Sequence, residues 1–183
     1  MSVAKSNAPR LAAEPRVKAG RRALQFLELE LAGQLYGLPL RAVQEVVAMA
    51  QLSGPPDLPA VIAGFLNLEG EAIPVLRLDR MLRLAERPAG MYTPLIVLRG
   101  QEGRLALMAE RVNRIRAVAE EAVLPLPASH TFNDCVEGMV TEGARIMLVL
   151  APARLLLEKE QQCLAELQDR EQERLQAMGE ARS

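Results

Sequence analysis

Apolar residues recur at nearly every second position from Leu24 onward, in short runs that turn residues separate. In the first run leucine stands at positions 27, 29 and 31 and glutamate at the positions between, which is typical of a strand with one buried face. The tripeptide Ala32-Gly33-Gln34 then predicts a turn, and the return strand ends at Pro39 because proline cannot continue a hydrogen-bonded ladder. The sequence therefore predicts that the fold opens with a β-hairpin.

Eight further runs have the length and composition of short strands. They are Ala42 to Ala48, Val61 to Leu68, Ala72 to Leu76, Pro94 to Leu98, Leu105 to Ala109, Val112 to Val118, Val136 to Thr141 and Arg145 to Leu150. Many short strands at hairpin spacing are typical of a β-barrel or a β-sandwich. The helical interruptions are brief, and the clearest is Arg77 to Leu84, where the apolar positions fall on one helical face.

The core is expected to be aliphatic, because aromatic residues make up only 3% of the chain and Trp is absent. Alternation along the strands places six residues in this core: Leu27, Leu29, Ile73, Val75, Ile96 and Leu148. A slip of one residue in any strand would exchange its two faces, so the burial of these six positions tests the predicted register.

A long helix is predicted at the end of the chain, starting at Pro152, a residue tolerated in the first helical turn. Its apolar stripe extends to Leu167 and then fails, because the next positions of the stripe carry Glu171 and Arg174. We therefore expect the helix to pack on the barrel as far as Leu167 and to project beyond it, with residues 168–183 dispensable for folding. A coiled coil that binds a partner is the alternative.

Length and charge indicate a soluble globular protein of one domain with appendages. The chain has 183 residues, of which 50% are hydrophobic and 25% charged, with a net charge of −1. This balance gives no electrostatic case for nucleic-acid binding, and no apolar run is long enough to cross a bilayer. Two cysteines are too few for a disulfide framework, which indicates a reducing compartment. Together with the lack of a membrane-spanning run, this predicts a cytoplasmic protein without membrane insertion.

The chain divides into three segments by composition. Residues 1–22 hold six basic residues against one acidic residue and no apolar period, so a flexible basic tail is expected. Residues 23–158 form the β-rich domain, and residues 159–183 form a helical extension.

No catalytic, metal or cofactor site is predicted. The single histidine, His130, lies in a polar loop beside Ser129, without the strand-turn-helix motif that presents a nucleophilic serine. Glu69 and Glu71 flank Gly70 in a predicted turn, where a solvated pair is expected rather than an acid and base. Neither of the glycine motifs that bind phosphate is present. The protein is therefore not expected to be an enzyme.

Arginines on one predicted strand offer a different chemistry. Arg114 and Arg116 share a strand face, with Arg111 close by, and arginine suits bidentate contacts to phosphate. An effector that binds a nucleotide or another anion through this Arg-rich strand is thus an alternative function, against a solvated face as the simpler interpretation.

The order of several short motifs resembles a known family. The segment Gln25 to Pro39 resembles a hairpin F-x-L-x-x-x-x-Y-G-I-x, and Val43 to Val46 resembles V-x-E-I. Pro59 to Gly70, followed by Ile73 to Leu78, resembles P-x-x-I-x-G-V-x-N-L-R-G-x-x-I-P-V-x-D-L. These are motifs of the CheW family of chemotaxis coupling proteins.

Later segments agree in the same order. Thr93 to Leu98 resembles the strand T-x-I-I-V-x, Glu110 to Val112 the weaker V-D-x-V position, and Glu137-Gly138 with Arg145 to Leu150 the terminal hairpin. The resemblance covers about residues 24 to 158. No single motif identifies the family, but the whole set in this order is specific for it.

The resemblance implies two small five-stranded β-barrels side by side, with short helices, and no enzymatic activity. It also implies an adaptor that couples the cytoplasmic tip of a chemoreceptor to the regulatory domain of a CheA-type histidine kinase, at membrane-associated arrays. By position, Val43 and Glu45 are expected at the receptor-binding groove, with Glu69 where the family has the arginine of N-L-R-G. Val43 is as readily a core residue. The kinase is expected to contact aliphatic residues of the first barrel.

Two departures from the family pattern reverse a charge. Glu69 replaces an arginine, and Arg77 replaces the aspartate of P-V-x-D-L. Either the two side chains pair with each other inside the fold, or they mark a partner whose charges differ from those of an ordinary receptor tip. A divergent coupling protein is therefore expected.

Overall fold

The computed structural model describes residues 22–55, 58–100, 103–126, 134–156 and 158–180. Within these ranges the chain forms eleven strands and two α-helices. The strands are β1 (Ala23–Leu31), β2 (Gln34–Pro39), β3 (Val43–Ala48), β4 (Ile62–Leu68), β5 (Glu71–Arg77), β6 (Pro94–Arg99), β7 (Arg104–Met108), β8 (Arg111–Ala119), β9 (Leu124–Pro125), β10 (Val136–Glu142) and β11 (Arg145–Leu150). The helices are α1 (Leu78–Met81) and α2 (Glu158–Glu180). The mainly-β class with a long C-terminal helix is confirmed.

One sheet has the strand order β8-β1-β2-β11-β10-β9 and forms barrel 1. Its neighbours are antiparallel except β11 and β2, which are parallel. The two edge strands, β8 and β9, are consecutive in the chain and separated only by residues 120–123. One bent segment therefore pairs with β1 at its start and with β10 at its end, and this closes the barrel with five strand positions.

The other sheet has the strand order β3-β6-β7-β5-β4 and forms barrel 2. Its edge strands are joined by Ser53, which follows β3 and bridges to Phe65 in β4. The amide of Ser53 donates to the Phe65 carbonyl at 2.9 Å, and the Phe65 amide donates to the Ser53 carbonyl at 2.6 Å. These bonds close barrel 2, so the expected pair of five-stranded barrels is observed.

The buried side chains form three clusters. One holds residues of barrel 1 alone, around Phe26 and Met147, and another holds residues of barrel 2 alone, around Ile73 and Val97. The largest combines residues of both barrels with Leu164 of α2. The barrels therefore pack side by side across a shared apolar core.

Five of the six predicted core residues are buried: Leu27, Leu29, Ile73, Val75 and Ile96. Leu148 was expected there too, but its side chain is only half-buried against the shared core. Exposure on this face of β11 falls from 47% at Ile146 to 0% at Leu150. On this face only the end of the strand is fully covered, which explains the intermediate exposure of the Leu148 side chain.

The predicted helices differ in extent from the observed ones. The expected helix from Arg77 to Leu84 is a single turn, α1, because Arg83 adopts a left-handed conformation with φ of 54°. Pro152 starts a separate 3₁₀ turn, and α2 begins only at Glu158. None of the helices in the described part of the chain is both long and apolar enough to span a membrane.

The expectation that α2 leaves the domain after Leu167 is wrong. Glu171 is only 3% exposed, and Gln172 bonds to the main chain of β5. The apolar stripe does end where predicted, but polar side chains continue the contact. This packing corresponds to a helix docked on its own barrel.

Candidate functional site

Four charged side chains lie towards one end of barrel 2, and we call them the acidic rim: Glu45, Glu69, Glu71 and Arg104. Glu45 lies in β3, Glu69 in the turn between β4 and β5, Glu71 at the start of β5 and Arg104 at the start of β7. The sheet order sets β7 beside β5 and separates it from β3 by one strand, β6. Residues far apart in sequence therefore share one end of the barrel.

Arg104 is the centre of the acidic rim. Its Nε donates to Oε2 of Glu71 at 2.9 Å, and its Nη2 bonds to the same oxygen. The hydrogen bond from Arg104 to Glu71 raises the pKa of Arg104 above its usual value, burial opposes this, and the charges of Glu71, Glu69 and Glu45 raise it further. Three carboxylates therefore surround one guanidinium, and Arg99, the cross-strand neighbour of Arg104, adds a second positive charge at this end of the barrel.

Glu69 occupies a tight hairpin turn. Both Glu69 and Gly70 have positive φ, at 56° and 88°, as a two-residue type I′ turn requires. The Gly70 amide donates to Oδ1 of Asn67 at 3.0 Å, which fixes the turn locally. The side chain of Glu69 is exposed, at the position where the resemblance places an arginine.

Arg77 does not pair with Glu69, so that alternative is wrong. Its Nη2 lies 2.6 Å from Oδ2 of Asp79 and 3.7 Å from Oε2 of Glu86. Arg77 ends β5 while Glu69 precedes its start, and the strand between them spans about 20 Å. The two charge reversals are therefore independent of each other.

Val43 and Glu45 have different environments in β3. Val43 is half-buried and packs against the core shared by the barrels, whereas Glu45 is exposed. A groove of about 460 Å³ lies beside them, between the barrels and α2. Ala42, which precedes Val43, and Arg104 both line this groove, although Val43 and Glu45 themselves do not.

The three arginines of β8 face carboxylates of their own barrel. Arg114 and Arg116 lie 3.7 and 3.4 Å from Oε2 of Glu28, which is 4% exposed. Arg116 also contacts Glu142 at 2.5 Å, and Arg111 lies 4.0 Å from Glu30. Their shared face is as predicted, but three glutamates cancel the three positive charges. This surface therefore offers an anion no net attraction, which weighs against the nucleotide-binding alternative.

Among the described residues, Cys135 is not an activated nucleophile and no side chains are grouped to bind a metal ion. Burial raises the pKa of the Cys135 thiol, which keeps it protonated and poorly nucleophilic, and the charge of Asp134 acts in the same direction. Within the described ranges, no three His, Cys, Asp or Glu side chains are grouped to hold a metal ion. Ser129 and His130 lie outside those ranges.

Two residues of this region were not identified from the sequence. Arg104 is a single arginine at the start of a strand, with no local pattern to distinguish it. Gln172 lies beyond the apolar stripe of α2 and binds through a polar side chain. Only the pairing of β5 with β7 and the docking of α2 reveal their roles.

Comparisons with known proteins agree on one family. The family described as CheW-like domain matches residues 25–160. The chain is 29% identical over 149 residues to the chemotaxis protein CheW of Treponema pallidum, covering 78% of this chain and 88% of that protein. It is 25% identical over 146 residues to the chemotaxis protein CheW of Klebsiella aerogenes, covering 78% and 86%.

A solved structure shows the same fold. The scaffolding protein TtCheW from Thermoanaerobacter tengcongensis superimposes with a TM-score of 0.69 at 23% identity. The alignment covers 79% of this chain and 94% of that one.

Proposed function

The chain belongs to the CheW-like family of chemotaxis scaffold proteins, and from this membership we propose that it is a non-enzymatic adaptor that couples chemoreceptors to a CheA-type histidine kinase. The adaptor works in the cytoplasm, at membrane-associated receptor arrays. It binds two proteins at once, the receptor tip and the kinase regulatory domain.

One observation carries this proposal: Glu45 and Glu69, two residues that the family resemblance assigns to the receptor contact, lie towards the same end of barrel 2. Glu45 and Glu69 are separated in sequence by most of β3 and all of β4, yet the negative charges of both raise the pKa of Arg104. Both are exposed, and Arg104 joins them to the groove between the barrels, which it lines. Exposed charged side chains next to a groove of mixed polar and apolar lining are typical of a protein-binding surface.

The charge of this rim defines the receptor that fits it. An ordinary tip that meets an arginine at position 69 would meet a carboxylate here, and such like-charge contacts reject wrong partners. The native receptor tip therefore presents a basic side chain to the acidic rim. This makes the protein a divergent member that serves its own receptor or an alternative chemosensory pathway.

The kinase contact lies on barrel 1. Its strands expose three large aliphatic side chains: Ile115 at 56%, Leu124 at 48% and Ile146 at 47%. These three side chains are the candidates for the aliphatic kinase contact that the family resemblance implies. Two separate surfaces allow one molecule to bind both partners.

The proposal is tested by measuring binding to each partner separately. The probes are a soluble receptor-tip fragment and a kinase regulatory domain from the same organism. Glu45→Lys is expected to weaken binding to the tip by about 1–3 kcal/mol, because it removes one charged contact and adds repulsion. Binding to the kinase domain is expected to stay unchanged.

Glu137→Lys provides the matched control, since Glu137 is an exposed glutamate in a strand of barrel 1. It makes the same charge change away from the acidic rim. Equal tip affinity for wild type and a folded Glu45→Lys variant would remove Glu45 from the interface. Failure of the wild type to bind either probe would contradict the adaptor function.

A further inference from the structure

The turn that carries Glu69 is bonded to the C-terminal helix. Nε2 of Gln172 donates to the Gly70 carbonyl at 2.9 Å, and its Oε1 accepts from the Ala72 amide at 2.8 Å. One carboxamide therefore makes two main-chain hydrogen bonds on either side of Glu71. We call this pair of bonds the Gln172 clamp.

The clamp occupies an edge of β5 that no strand covers. Among the described residues, β7 pairs with β5 only from Val75 to Arg77. The carbonyl of Gly70 and the amide of Ala72 lie before that pairing starts. Because main-chain groups at an uncovered edge seek partners, the Gln172 side chain takes the place of a neighbouring strand there.

The helix holds Gln172 firmly in this place. Leu164 is 6% exposed in the shared core, and Glu171, next to Gln172, is 3% exposed. Gln172 therefore extends from a packed face of α2. The family match ends at residue 160, so this contact is made by a segment outside the matched domain.

The clamp flanks Glu71 and borders Glu69, two residues of the acidic rim. Glu69 directly precedes Gly70, and Glu71 lies between the two bonded main-chain groups and binds Arg104. Glu69 itself has a left-handed backbone, which a residue with a Cβ adopts only where its surroundings hold it. The clamp supplies part of that hold.

Building on the proposed function, we propose that Gln172 is a positioning residue for the receptor contact: it fixes the turn in the conformation in which Glu69 meets the partner. A turn released from the clamp populates other conformations, and the apparent affinity falls with the fraction that remains competent. Docking of α2 and binding of the receptor tip are then coupled, so each strengthens the other.

The test is a double-mutant cycle on the full chain. Tip affinity is measured for wild type, Gln172→Ala, Glu69→Ala and the double variant, with the soluble receptor-tip fragment as probe. Gln172→Ala is expected to raise Kd by about three- to tenfold in the wild-type background and by less than about 1.5-fold in the Glu69→Ala background. A loss caused by general destabilisation would appear equally in both backgrounds.

Hydrogen exchange gives a second measurement that needs no partner. The Ala72 amide is expected to exchange at least about threefold faster in Gln172→Ala, because it loses its acceptor, while core amides of barrel 1 keep their rates. Gln176→Ala, an exposed glutamine one turn later in α2, is the control and is expected to change neither measurement.

The outcomes separate this proposal from the proposed function. If the wild type binds the fragment and Gln172→Ala has the same effect in both backgrounds, the positioning role is wrong and the adaptor function stands. If the wild type does not bind the fragment, the adaptor function is wrong. Hydrogen exchange then decides on the clamp alone: unchanged exchange of the Ala72 amide in Gln172→Ala would contradict it, and faster exchange confined to the turn would support it.

Discussion

At the scale of single residues, the identity of position 69 separates this chain from its family. Glu69 is exposed and does not contact Arg77, so its charge is free to act on a partner. We expect Glu69→Arg to strengthen binding to a tip that normally meets arginine by about 1–2 kcal/mol, and to weaken binding to the native tip. Stability should change by less than about 0.5 kcal/mol.

Two further variants make this prediction specific. Glu166→Arg makes the same charge change on an exposed position of α2 and should leave both affinities unchanged. Adding Arg77→Asp to Glu69→Arg should not restore the wild-type affinity for either tip, since the two residues lie at opposite ends of β5. If the tips keep their affinities in Glu69→Arg, the charge reversal has no role in partner choice.

Asp79 is the residue where pH should act on stability. Burial alone would raise the pKa of Asp79, but hydrogen bonds from Arg77 and from the Arg80 amide, with the Arg77 charge, lower it below the usual 3.8. A depressed folded-state pKa contributes stability above the unfolded value, and this is lost as pH falls through the folded value. Asp79→Asn should therefore cost about 1–3 kcal/mol at neutral pH, and the cost should be smaller at an acidic pH below the usual 3.8.

Urea unfolding of both proteins at the two pH values checks this prediction. Asp169→Asn, at an exposed position of α2, is the control and should be nearly neutral at both. A cost of the same size at both pH values would show that the Arg77–Asp79 pair does not govern the pH dependence.

At the scale of elements, the period-two pattern and turn residues predict most strands because each strand faces a core on at least one side. The same pattern cannot give the extent of α1, which Arg83 ends through its backbone conformation. Nor can it give the docked length of α2, because Glu171 and Gln172 are buried or bonded as polar residues. Apolar periodicity reports burial of apolar side chains and misses contacts of this kind.

The docked length of α2 gives a prediction of its own. Removing residues 168–183 should cost about 1–3 kcal/mol, because two main-chain hydrogen bonds and the burial around Glu171 are lost. A chain that ends at Leu175 keeps those contacts and should lose less than about 0.5 kcal/mol. Chemical unfolding of both truncations measures the difference, and equal stability of the two would restore the interpretation of a dispensable end.

At the scale of the whole molecule, two closed barrels share one core and present different surfaces. Barrel 1 neutralises its arginines internally around Glu28, whereas barrel 2 carries the exposed carboxylates of the acidic rim around Arg104. The strand positions could be predicted from the sequence, and the resemblance supplied the two-barrel fold and identified Glu45 and Glu69. The rim itself could not be predicted, because it depends on which strands are neighbours in the closed barrel.

The central claim is that one molecule joins a receptor to a kinase, and co-sedimentation measures this directly. Membranes that carry the native receptor are mixed with the CheA-type kinase, with and without this protein, and the kinase in the pellet is quantified. We expect the kinase to sediment with the membranes only when the protein is present, and Glu45→Lys to lower the sedimented fraction while Glu166→Lys, at an exposed position of α2, does not. Kinase that sediments equally without the protein, or that stays in solution with it, would contradict the account.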